Sequence, residues 1–444
     1  MRSTAPQGRV PPRMRTTNIR WWIVFLCFAG TAINYIDRAN LSVAATSIKT
    51  ELHLNDTQLG FVLGAFFWTY AVGQLAAGYL VDRYGARLMY AIAVGWWSVF
   101  TAATALAHSF IGLLGFRLGL GIGEAGAYPS NAKVVGAWFP VQERALATSI
   151  FDSGSRVGAA LSLPIVTVII LSFGWRFSFI VTGLLGLVWI AAWVWFYREP
   201  RNHALANEAE LQYIEAGGAR EGDRPQSGSD VTWADLFRYR TIWGMMLGFF
   251  CLNFVIYFFI TWFPTYLVHA RGFSLPKLGS LGTLPALIAI PGGWLGGYVS
   301  DRLYRRGWSL TRARKTCLVG GMLCSSVIAL AAVAPSAILA IALLSISYAS
   351  LAFTAASIWS LPSDIAPTSG HVASIGGIQN FASNIAGVVT TSFTGIMLTI
   401  TSGSFFIPLL VAGAIALVGA FSYGVIVGPI EPLPLLPSRA NRVT

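Results

Sequence analysis

Ionisable side chains occur inside long apolar stretches of this sequence, where they are costly and tend to mark substrate or proton pathways. In the segment INYIDRANLS, Asp37 and Arg38 stand side by side. An arginine can bind an anion through charge-assisted hydrogen bonds, and a partly desolvated carboxylate can take up and release a proton. The pair therefore predicts an anion site at Arg38 that is coupled to protonation of Asp37.

The pair belongs to a polar stripe that also contains Asn34 and Ser42, since these spacings fall on one face of a helix. At 1.5 Å per residue, Asp37 lies about 24 Å along that helix from Trp21. That distance is past the middle of a bilayer and within reach of a cavity. The alternative is that Asp37 lies at the outer interface and caps the helix.

A second charged face is predicted in the segment RLGLGIGEAGAYPSN. Arg117 and Glu124 fall on the same side of a helix there, and the glycines around them allow a neighbouring helix to approach closely. A carboxylate in such a place can load and release protons, with Arg117 holding it in its charged state. A static buried ion pair between the two is the alternative, although such pairs are expensive to bury.

A third charged pair lies in the segment FDSGSRVG, where Asp152 and Arg156 are spaced for a local ion pair on a helix. The sharper interpretation is that Arg156 supplies a second cationic contact for an anion. Several uncharged side chains could either contact a hydroxylated ligand or hold helices together. They are Tyr35, Tyr70, Trp359 and Asn380.

Membrane-spanning helices must position these residues, because the chain is 55% hydrophobic and 11% charged, with a mean hydropathy of +0.63. Soluble globular proteins carry about 25% charged residues. Apolar runs of about 20 residues recur along the chain, each long enough to cross a bilayer. We predict an all-α integral membrane protein with twelve spans in two groups of six, at 21–45, 58–80, 88–107, 110–133, 145–172 and 176–197, then at 241–268, 278–300, 316–334, 336–361, 372–399 and 403–428.

The formal net charge of +12 is distributed asymmetrically. Most basic residues fall in the N-terminal tail, the central polar stretch and the loops after the second and eighth spans, whereas the loops on the opposite side keep Lys49, Arg176, Arg271 and Lys277. This asymmetry follows the positive-inside rule and predicts that both termini are cytoplasmic. Because topology accounts for the charge, we expect the lipid bilayer, and not nucleic acid, as the partner.

A polar stretch with a Gly/Ser/Pro-rich middle divides the two groups of spans and predicts a linker, with a short helix around 207–216. The predicted organisation is a cytoplasmic tail at 1–20, a bundle at 21–197, the cytoplasmic linker at 198–240, a second bundle at 241–428 and a cytoplasmic tail at 429–444.

The two halves of the chain repeat a short motif. GYLVDRYGAR closes the second span and GGYVSDRLYRRG closes the eighth, and both contain Gly-x-x-x-Asp-Arg. A repeat at the same place in each half predicts two similar bundles that meet at a central cavity, whereas an ordinary charged turn is the alternative. The motif residues are Gly78, Asp82, Arg83, Gly85 and Arg87 in the first copy and Gly297, Asp301 and Arg302 in the second.

Other classes of protein find little support in the sequence. The four cysteines form no CxxC pair and the five histidines are scattered, so neither a disulfide framework nor a metal site is expected. HExxH, GxSxG and phosphate-loop motifs are absent from the sequence, which argues against an enzyme. We expect a monomeric transporter with no cofactor other than protons as the coupling ion.

Several stretches resemble a known family. GYLVDRYGAR resembles the loop signature of the major facilitator superfamily, with Ala86 where a second basic residue is usual. NYIDRANLSVAA, FRLGLGIGEAGAYPSN, WFPVQERA, FFITWFPTYLVHARG and GGIQNFASN resemble its anion:cation symporter family, and especially the bacterial galactonate, glucarate/galactarate and hexuronate permeases. The resemblance implies two pseudo-symmetric halves, alternating access, and proton-coupled uptake of an organic anion across the bacterial inner membrane.

The resemblance also implies roles for individual residues. Asp37 and Glu124 are similar to the proton-binding carboxylates of the family, and Arg117 to the residue that regulates the second of them. Arg38 is similar to the residue that meets the substrate carboxylate. The remaining matches are to the shell that binds hydroxyl groups, and they comprise Tyr35, Tyr70, Trp359 and Asn380.

One departure from the galactonate pattern bears on the substrate. Ser155 stands where that pattern has a glutamine, Arg156 follows it, and we predict that both contact the substrate. An added arginine near the site favours a second carboxylate, as in an aldarate or tartrate. A uniporter or exchanger of another carboxylate, such as tartrate or an aromatic acid, is the alternative function, and a non-transporting membrane receptor is a remote one.

Overall fold

The computed structural model of the chain describes residues 16–217, 233–366 and 372–434, and these residues form a bundle of α-helices. The helices before residue 218 are α1 (Ile19–Glu51), α2 (Asp56–Tyr84), α3 (Ala86–Ala103), α4 (Phe110–Glu124), α5 (Ala127–Trp138), α6 (Val141–Phe173), α7 (Trp175–Phe196) and α8 (Glu208–Ala216). Those after residue 232 are α9 (Arg240–Thr261), α10 (Phe263–Thr265), α11 (Leu275–Leu281), α12 (Leu284–Arg305), α13 (Leu310–Ser325), α14 (Ala337–Ile358), α15 (Leu361–Ile365), α16 (Val372–Ile400) and α17 (Phe406–Phe421).

Long apolar helices make up most of this bundle, as the apolar runs predict. In the three described ranges, eleven helical segments are long and apolar enough to cross a membrane. One further long helix, α2, has 29 residues and packs along α4 and α16. Together with the eleven segments it makes up the twelve spans that the sequence predicts. The fold is therefore the all-helical membrane architecture of two six-helix bundles.

Several of the predicted spans are broken rather than continuous, among them the fourth and the eighth. The fourth is divided into α4 and α5 at Ala125 and Gly126, and the eighth into α11 and α12 at Gly282 and Thr283. Both breaks contain a glycine with right-handed helical dihedral angles, and a Cβ placed on Gly126 would lie 2.9 Å from the Cβ of Ala93 on α3. The first break directly follows Glu124, so this carboxylate lies at the end of α4.

The two halves of the molecule pack together mainly along α2 and α16. We call the end that holds Ile19 and α8 the linker end, and the end that holds Glu51 and Asp56 the opposite end. At the opposite end the hydroxyls of Thr57 and Thr399 lie 2.8 Å apart. The helices touch there so closely that a Cβ placed on Gly60 would lie 2.7 Å from a backbone oxygen of α16.

This close packing between α2 and α16 does not continue towards the linker end. Asn380 still donates a hydrogen bond to Gln74, at 2.8 Å. One turn farther, however, a Cβ placed on Gly78 or on Gly377 would meet no atom within 4 Å. The contacts between α6 and α11, where Thr167 lies against Gly279, are likewise near the opposite end. The two halves are therefore joined at the opposite end and along the middle of the seam.

The polar linker is fixed to the start of α1 by Glu210 of α8, the short helix predicted around 207–216. The Glu210 carboxylate is buried and accepts hydrogen bonds from the backbone N–H groups of Ile19 and Arg20, at 3.0 and 3.2 Å. The Glu210 carboxylate also accepts a hydrogen bond from Nη1 of Arg20, at 3.1 Å. The Nε of the same guanidinium donates to Glu143 of α6, at 2.9 Å. A carboxylate at a helix N-terminus satisfies free N–H groups and complements the helix dipole.

His203 lies in the segment before α8 and is buried against Trp138, with the two ring centroids 5.4 Å apart. Its Nδ1 accepts a hydrogen bond from the Leu205 N–H at 3.3 Å, and its Nε2 lies 3.1 Å from the Phe196 carbonyl oxygen. Burial lowers the pKa of His203, so the ring is neutral at pH 7, as an accepting Nδ1 requires. The domain boundaries predicted from the sequence, including those of the linker at 198–240, stay predictions.

The repeated motif forms the same local structure in both halves. Arg83 donates to the Tyr79 hydroxyl at 3.1 Å, and Arg302 donates to the Tyr298 hydroxyl at 2.6 Å. Each helix then ends close to a glycine with positive φ. In the first copy of the motif this glycine is Gly85, whose φ is 86°. A residue with a Cβ would be strained in that conformation, so glycine is required there.

Other motif residues make contacts at the linker end. Arg87 donates to the Val194 carbonyl oxygen at 3.1 Å, and Asp301 lies 3.6 Å from Arg314, which also pairs with Asp364 at 3.1 Å. The side chain of Asp82 lies outside the described part of the chain. The role predicted for this motif in bundle packing stays a prediction.

Candidate functional site

The centre of the N-terminal half contains a buried ion pair between α1 and α4. Arg38 Nε donates to Glu124 Oε2 at 2.6 Å, and the exposed fractions of the two side chains are 5% and 0%. Sequence spacing predicts Arg117 as the partner of Glu124, but the hydrogen bond to Glu124 comes from Arg38 instead. From the C-terminal end of α4, the Glu124 side chain reaches Arg38, which belongs to the polar stripe of α1.

Aromatic rings surround the Arg38 guanidinium. Its Cζ lies 4.9 Å from the ring centroid of Tyr35, 4.5 Å from that of Phe66 and 4.6 Å from that of Tyr70. The faces of these rings are electron-rich and attract a planar guanidinium. Arg38 is thus held by one carboxylate and three rings, with little contact with solvent.

Asp37 is buried in the middle of α1, next to this pair. It is 0% exposed, and neither of its carboxylate oxygens has a hydrogen-bond partner among the described residues. Helix α1 continues from Asp37 to Glu51, so the alternative in which Asp37 caps the helix is excluded. Asn34 of the same polar stripe is also buried without a hydrogen-bond partner in the described ranges. Unpaired buried polar atoms are costly and concentrate at functional sites.

Arg117 is buried on α4, about two turns before Glu124. Its Cζ lies 5.5 Å from the centroid of Phe66, the ring that Arg38 also contacts. Its Nε and Nη1 have no hydrogen-bond partner in the described ranges. The static Arg117–Glu124 pair is therefore not formed in this structure, and Arg117 keeps two donors that are free to bind another group.

A hydrogen-bond chain connects the Arg38 site to the C-terminal half through Gln74, which sequence reasoning missed. Gln74 Nε2 donates to the Tyr70 hydroxyl at 2.9 Å, and Gln74 Oε1 accepts from Asn380 Nδ2 at 2.8 Å. Tyr70 in turn faces Arg38. Gln74 follows Tyr70 by four residues on a helix face, and this spacing is the signal that could have identified it.

A central cavity opens beside Tyr35 and is lined by both halves of the molecule. It encloses about 790 Å³ of space, including the part that is open to solvent. Two of the predicted contacts, Ser155 and Arg156, line it from α6, and Trp359 lines it from the C-terminal half. The other lining residues are Tyr128, Asp152, Phe249, Leu252, Asn253, Ile256, Tyr257, Ile260, Ala286, Ala289, Tyr348, Ala352 and Ala355.

Arg156 and Asp152 form the local pair that their spacing predicts, but the contact is long. Arg156 Nη2 lies 3.5 Å from Asp152 Oδ2, with 28% and 21% of the two side chains exposed. The other oxygen, Asp152 Oδ1, accepts a hydrogen bond from the Tyr128 hydroxyl at 3.1 Å. Arg156 therefore pairs with Asp152 and faces the cavity at the same time.

The structure gathers most of the predicted site residues in two adjoining places. Arg38, Tyr70, Asp37 and Glu124 lie in the buried polar core, and Tyr35 separates this core from the cavity. Asn380 joins the polar core through Gln74 and does not line the cavity. Within the described ranges, no group of three or more His, Cys, Asp or Glu side chains could hold a metal ion.

Comparisons with known proteins agree with this architecture. A model of the Major Facilitator Superfamily matches residues 27–391. The chain is 36% identical over 438 residues to the "Probable galactarate/D-glucarate transporter" of Bacillus subtilis, with 96% of each chain covered. It is 36% identical over 419 residues to the "Probable L-galactonate transporter" of Escherichia coli, with 94% of this chain and 91% of that protein covered.

The fold is also similar to a solved structure, a bacterial homologue of the human lysosomal transporter Spinster. The TM-score is 0.70 at 22% identity, over 92% of this chain and 95% of that one. At this level of identity the similarity concerns the fold alone. The family and the names of these relatives are those of transporters and not of enzymes.

Proposed function

Because this chain belongs to the Major Facilitator Superfamily, we propose that it is a secondary active transporter that takes up an organic anion together with protons. As a member of that superfamily it is a multi-pass membrane transporter. The single observation that carries the proposal is the buried Arg38–Glu124 pair beside the unpaired carboxylate of Asp37. The anion site at Arg38 is thus in direct contact with one titratable group, Glu124, and is adjacent in sequence to a second, Asp37, at a depth where such groups mark transport pathways.

The proposed substrate is a sugar acid, meaning an aldonate, an aldarate or a hexuronate. The relatives named for galactarate, glucarate and galactonate support an acid of this kind. The cavity supports it as well, since hydroxyl and amide groups such as Tyr128, Ser155 and Asn253 line a space that also contains Trp359. Polar groups placed among apolar ones are what a hydroxylated ligand requires.

The proposed coupling starts from competition for Arg38. In its charged form Glu124 occupies the Nε of Arg38, and charged Asp37 adds a second negative charge next to it. A substrate carboxylate therefore has to displace Glu124 from Arg38 and to bind against the repulsion of charged Asp37. Protonation of Glu124 and Asp37 removes this competition, so proton and anion bind cooperatively, and each raises the affinity for the other. Arg117 then becomes the partner of Glu124 when this carboxylate is charged again while the substrate still occupies Arg38.

The proposed transport cycle is alternating access, with the linker end in the cytoplasm. The positive-inside distribution of arginines supports this orientation. The packing of α2 on α16 near Thr57 and Thr399, and its absence at Gly78, support a state that is open towards the linker end. In a bacterium the molecule would thus release substrate inward across the inner membrane, as a monomer.

Uptake by the purified protein in proteoliposomes tests this function. An inside-alkaline pH gradient is imposed and a panel of labelled acids is offered: galactarate, glucarate, galactonate, galacturonate, tartrate and benzoate. We expect accumulation of at least one sugar acid and loss of that accumulation with a protonophore. Uptake that does not respond to the protonophore would indicate a uniporter or exchanger, and transport of none, or of benzoate alone, would contradict the sugar-acid assignment.

A further inference from the structure

Arg156 is the one cation among the described residues that line the central cavity. Its side chain is 28% exposed and extends from α6 across to the other half of the molecule. A Cβ placed on Gly293 of α12 would lie 3.9 Å from its Cζ. The guanidinium therefore lies between the two halves, beside a glycine that leaves room for a ligand atom.

The charge of Arg156 is only weakly satisfied within the described chain. A guanidinium has five N–H donors, and its ion pair with Asp152 is 3.5 Å long. The carboxylate of Asp152 is shared, because its other oxygen accepts a hydrogen bond from Tyr128. Charge-assisted hydrogen bonds are normally about 2.7–2.9 Å long. A ligand carboxylate could thus form a shorter, bidentate contact with Arg156 than Asp152 does.

Arg38 differs from Arg156 in exposure and in the length of its ion pair, although its Nη2 also has no hydrogen-bond partner in the described ranges. It is 5% exposed, bonded to Glu124 at 2.6 Å and enclosed by aromatic rings. Tyr35 lies between the two arginines, since its ring faces Arg38 and also lines the cavity. The molecule thus has one guanidinium group in the buried polar core and a second one at the cavity, and Tyr35 belongs to both places.

We propose that Arg156 binds a second acidic group of the substrate, so that this transporter selects acids with an anionic group at each end over acids with one. This inference rests on the proposed function, and it adds the number of charges that the substrate carries. One end of the acid binds towards Arg38, and the other displaces Asp152 from Arg156. An acid with a hydroxymethyl group at its second end does not displace Asp152 from Arg156, so it gains less binding free energy at this place.

Two substrates that differ at one carbon test this selectivity. Galactarate has a carboxylate where galactonate has a hydroxymethyl group, and the rest of the molecule is the same. The ratio of their kcat/KM values is measured in proteoliposomes for the wild type and for Arg156→Gln. We expect the wild type to prefer galactarate and the substitution to lower that ratio about tenfold or more, the range of one charge-assisted contact. Arg201→Gln, at an exposed site on the linker, serves as the control and should keep the wild-type ratio.

Asp152→Asn tests the same idea in the opposite direction and does not depend on how well Arg156→Gln folds. Removing the competing carboxylate should lower KM for galactarate several-fold while changing that for galactonate less. Equal effects on both acids in either variant, or an unchanged ratio in Arg156→Gln, would overturn the proposal. Failure of the wild type to transport any acid would instead remove the proposed function itself, and this inference with it.

Discussion

The Arg38 guanidinium makes two kinds of contact. Its Nε lies 2.6 Å from a carboxylate oxygen, and its Cζ lies within 4.9 Å of the centroids of three aromatic rings. Planarity and delocalised charge are the properties that distinguish arginine from lysine in such a place. The surroundings of Arg38 therefore require a guanidinium and not merely a positive charge. A conservative substitution can separate these two requirements.

We expect Arg38→Lys to reduce kcat/KM for the transported acid about tenfold or more, because a lysine ammonium cannot stack against Phe66 while bonding Glu124. Initial rates of uptake in proteoliposomes provide the measurement. Arg201→Lys makes the same chemical change on the linker surface and should transport normally. Full activity of the Arg38→Lys protein would show that charge alone suffices.

Asp37 is the buried carboxylate with no described hydrogen-bond partner, so its charge has little to compensate it. We expect Asp37→Asn to abolish accumulation driven by a pH gradient and to retain exchange of labelled for unlabelled substrate. An asparagine occupies the same volume but carries no proton across. Accumulation assays and counterflow assays on one preparation make this comparison.

The control for Asp37→Asn is Glu215→Gln, an exposed carboxylate that pairs with Arg201 at the linker surface. It should leave both assays unchanged. Full gradient-driven accumulation by Asp37→Asn would be incompatible with the proposed coupling through this residue.

At the level of helices, Gln74 connects the Arg38 site to the seam between the halves. Its amide bridges Tyr70 on its own helix and Asn380 on α16, in the region where close packing between the two helices ends. A change in the protonation or occupancy of the Arg38 site can reach the seam through this chain of contacts. Gln74 is therefore expected to position Tyr70 and α16 relative to one another.

A double-mutant cycle of Gln74→Leu and Asn380→Leu measures this connection. Each single substitution should slow transport, and the double variant should be no slower than the worse single one, since both remove the same bond. A coupling of about 0.5–3 kcal/mol is typical of residues in contact. Strictly additive effects on the transport rate would mean that the bond between Gln74 and Asn380 does not contribute.

Helix α8 forms a different connection, between the linker and the start of α1. Glu210 accepts hydrogen bonds from Thr17, Ile19 and Arg20 while being fully buried. We expect Glu210→Gln to lower the Tm of the detergent-solubilised protein, by a loss on the order of 1–3 kcal/mol for a buried group left incompletely bonded. Glu215→Gln, on the exposed end of the same helix, should leave the Tm unchanged, and an equal Tm for both variants would contradict this role of Glu210.

For the molecule as a whole, the sequence was sufficient for the helices and insufficient for their pairing. Apolar runs predicted the spans because a bilayer requires about 20 apolar residues per crossing. The short helix in the linker also followed from its local pattern. The partner of Glu124 did not follow from a local pattern. Arg117 shares the helix of Glu124, whereas Arg38 lies 86 residues away in sequence, on α1. Such a choice depends on the rotation of one helix against another, which a single sequence does not encode visibly.

The cavity shows the same limit at larger scale. Ser155, Arg156 and Trp359 were predicted near a ligand, and all three line one space. Asn380 was predicted either to contact a ligand or to hold helices together, and it donates a hydrogen bond to Gln74 on α2. The difference arises because α16 packs on α2 and not on α6, a neighbour relation that only the folded molecule reveals.

For the molecule as a whole, the proposed function has one central requirement, that anion and proton cross together. The most direct measurement is the external pH of weakly buffered proteoliposomes, without an imposed gradient, when the transported acid is added. The account predicts that the external pH rises as protons enter with the acid, that empty liposomes show no rise, and that Asp37→Asn abolishes it. Entry of the labelled acid into wild-type proteoliposomes with no rise in external pH would contradict proton symport.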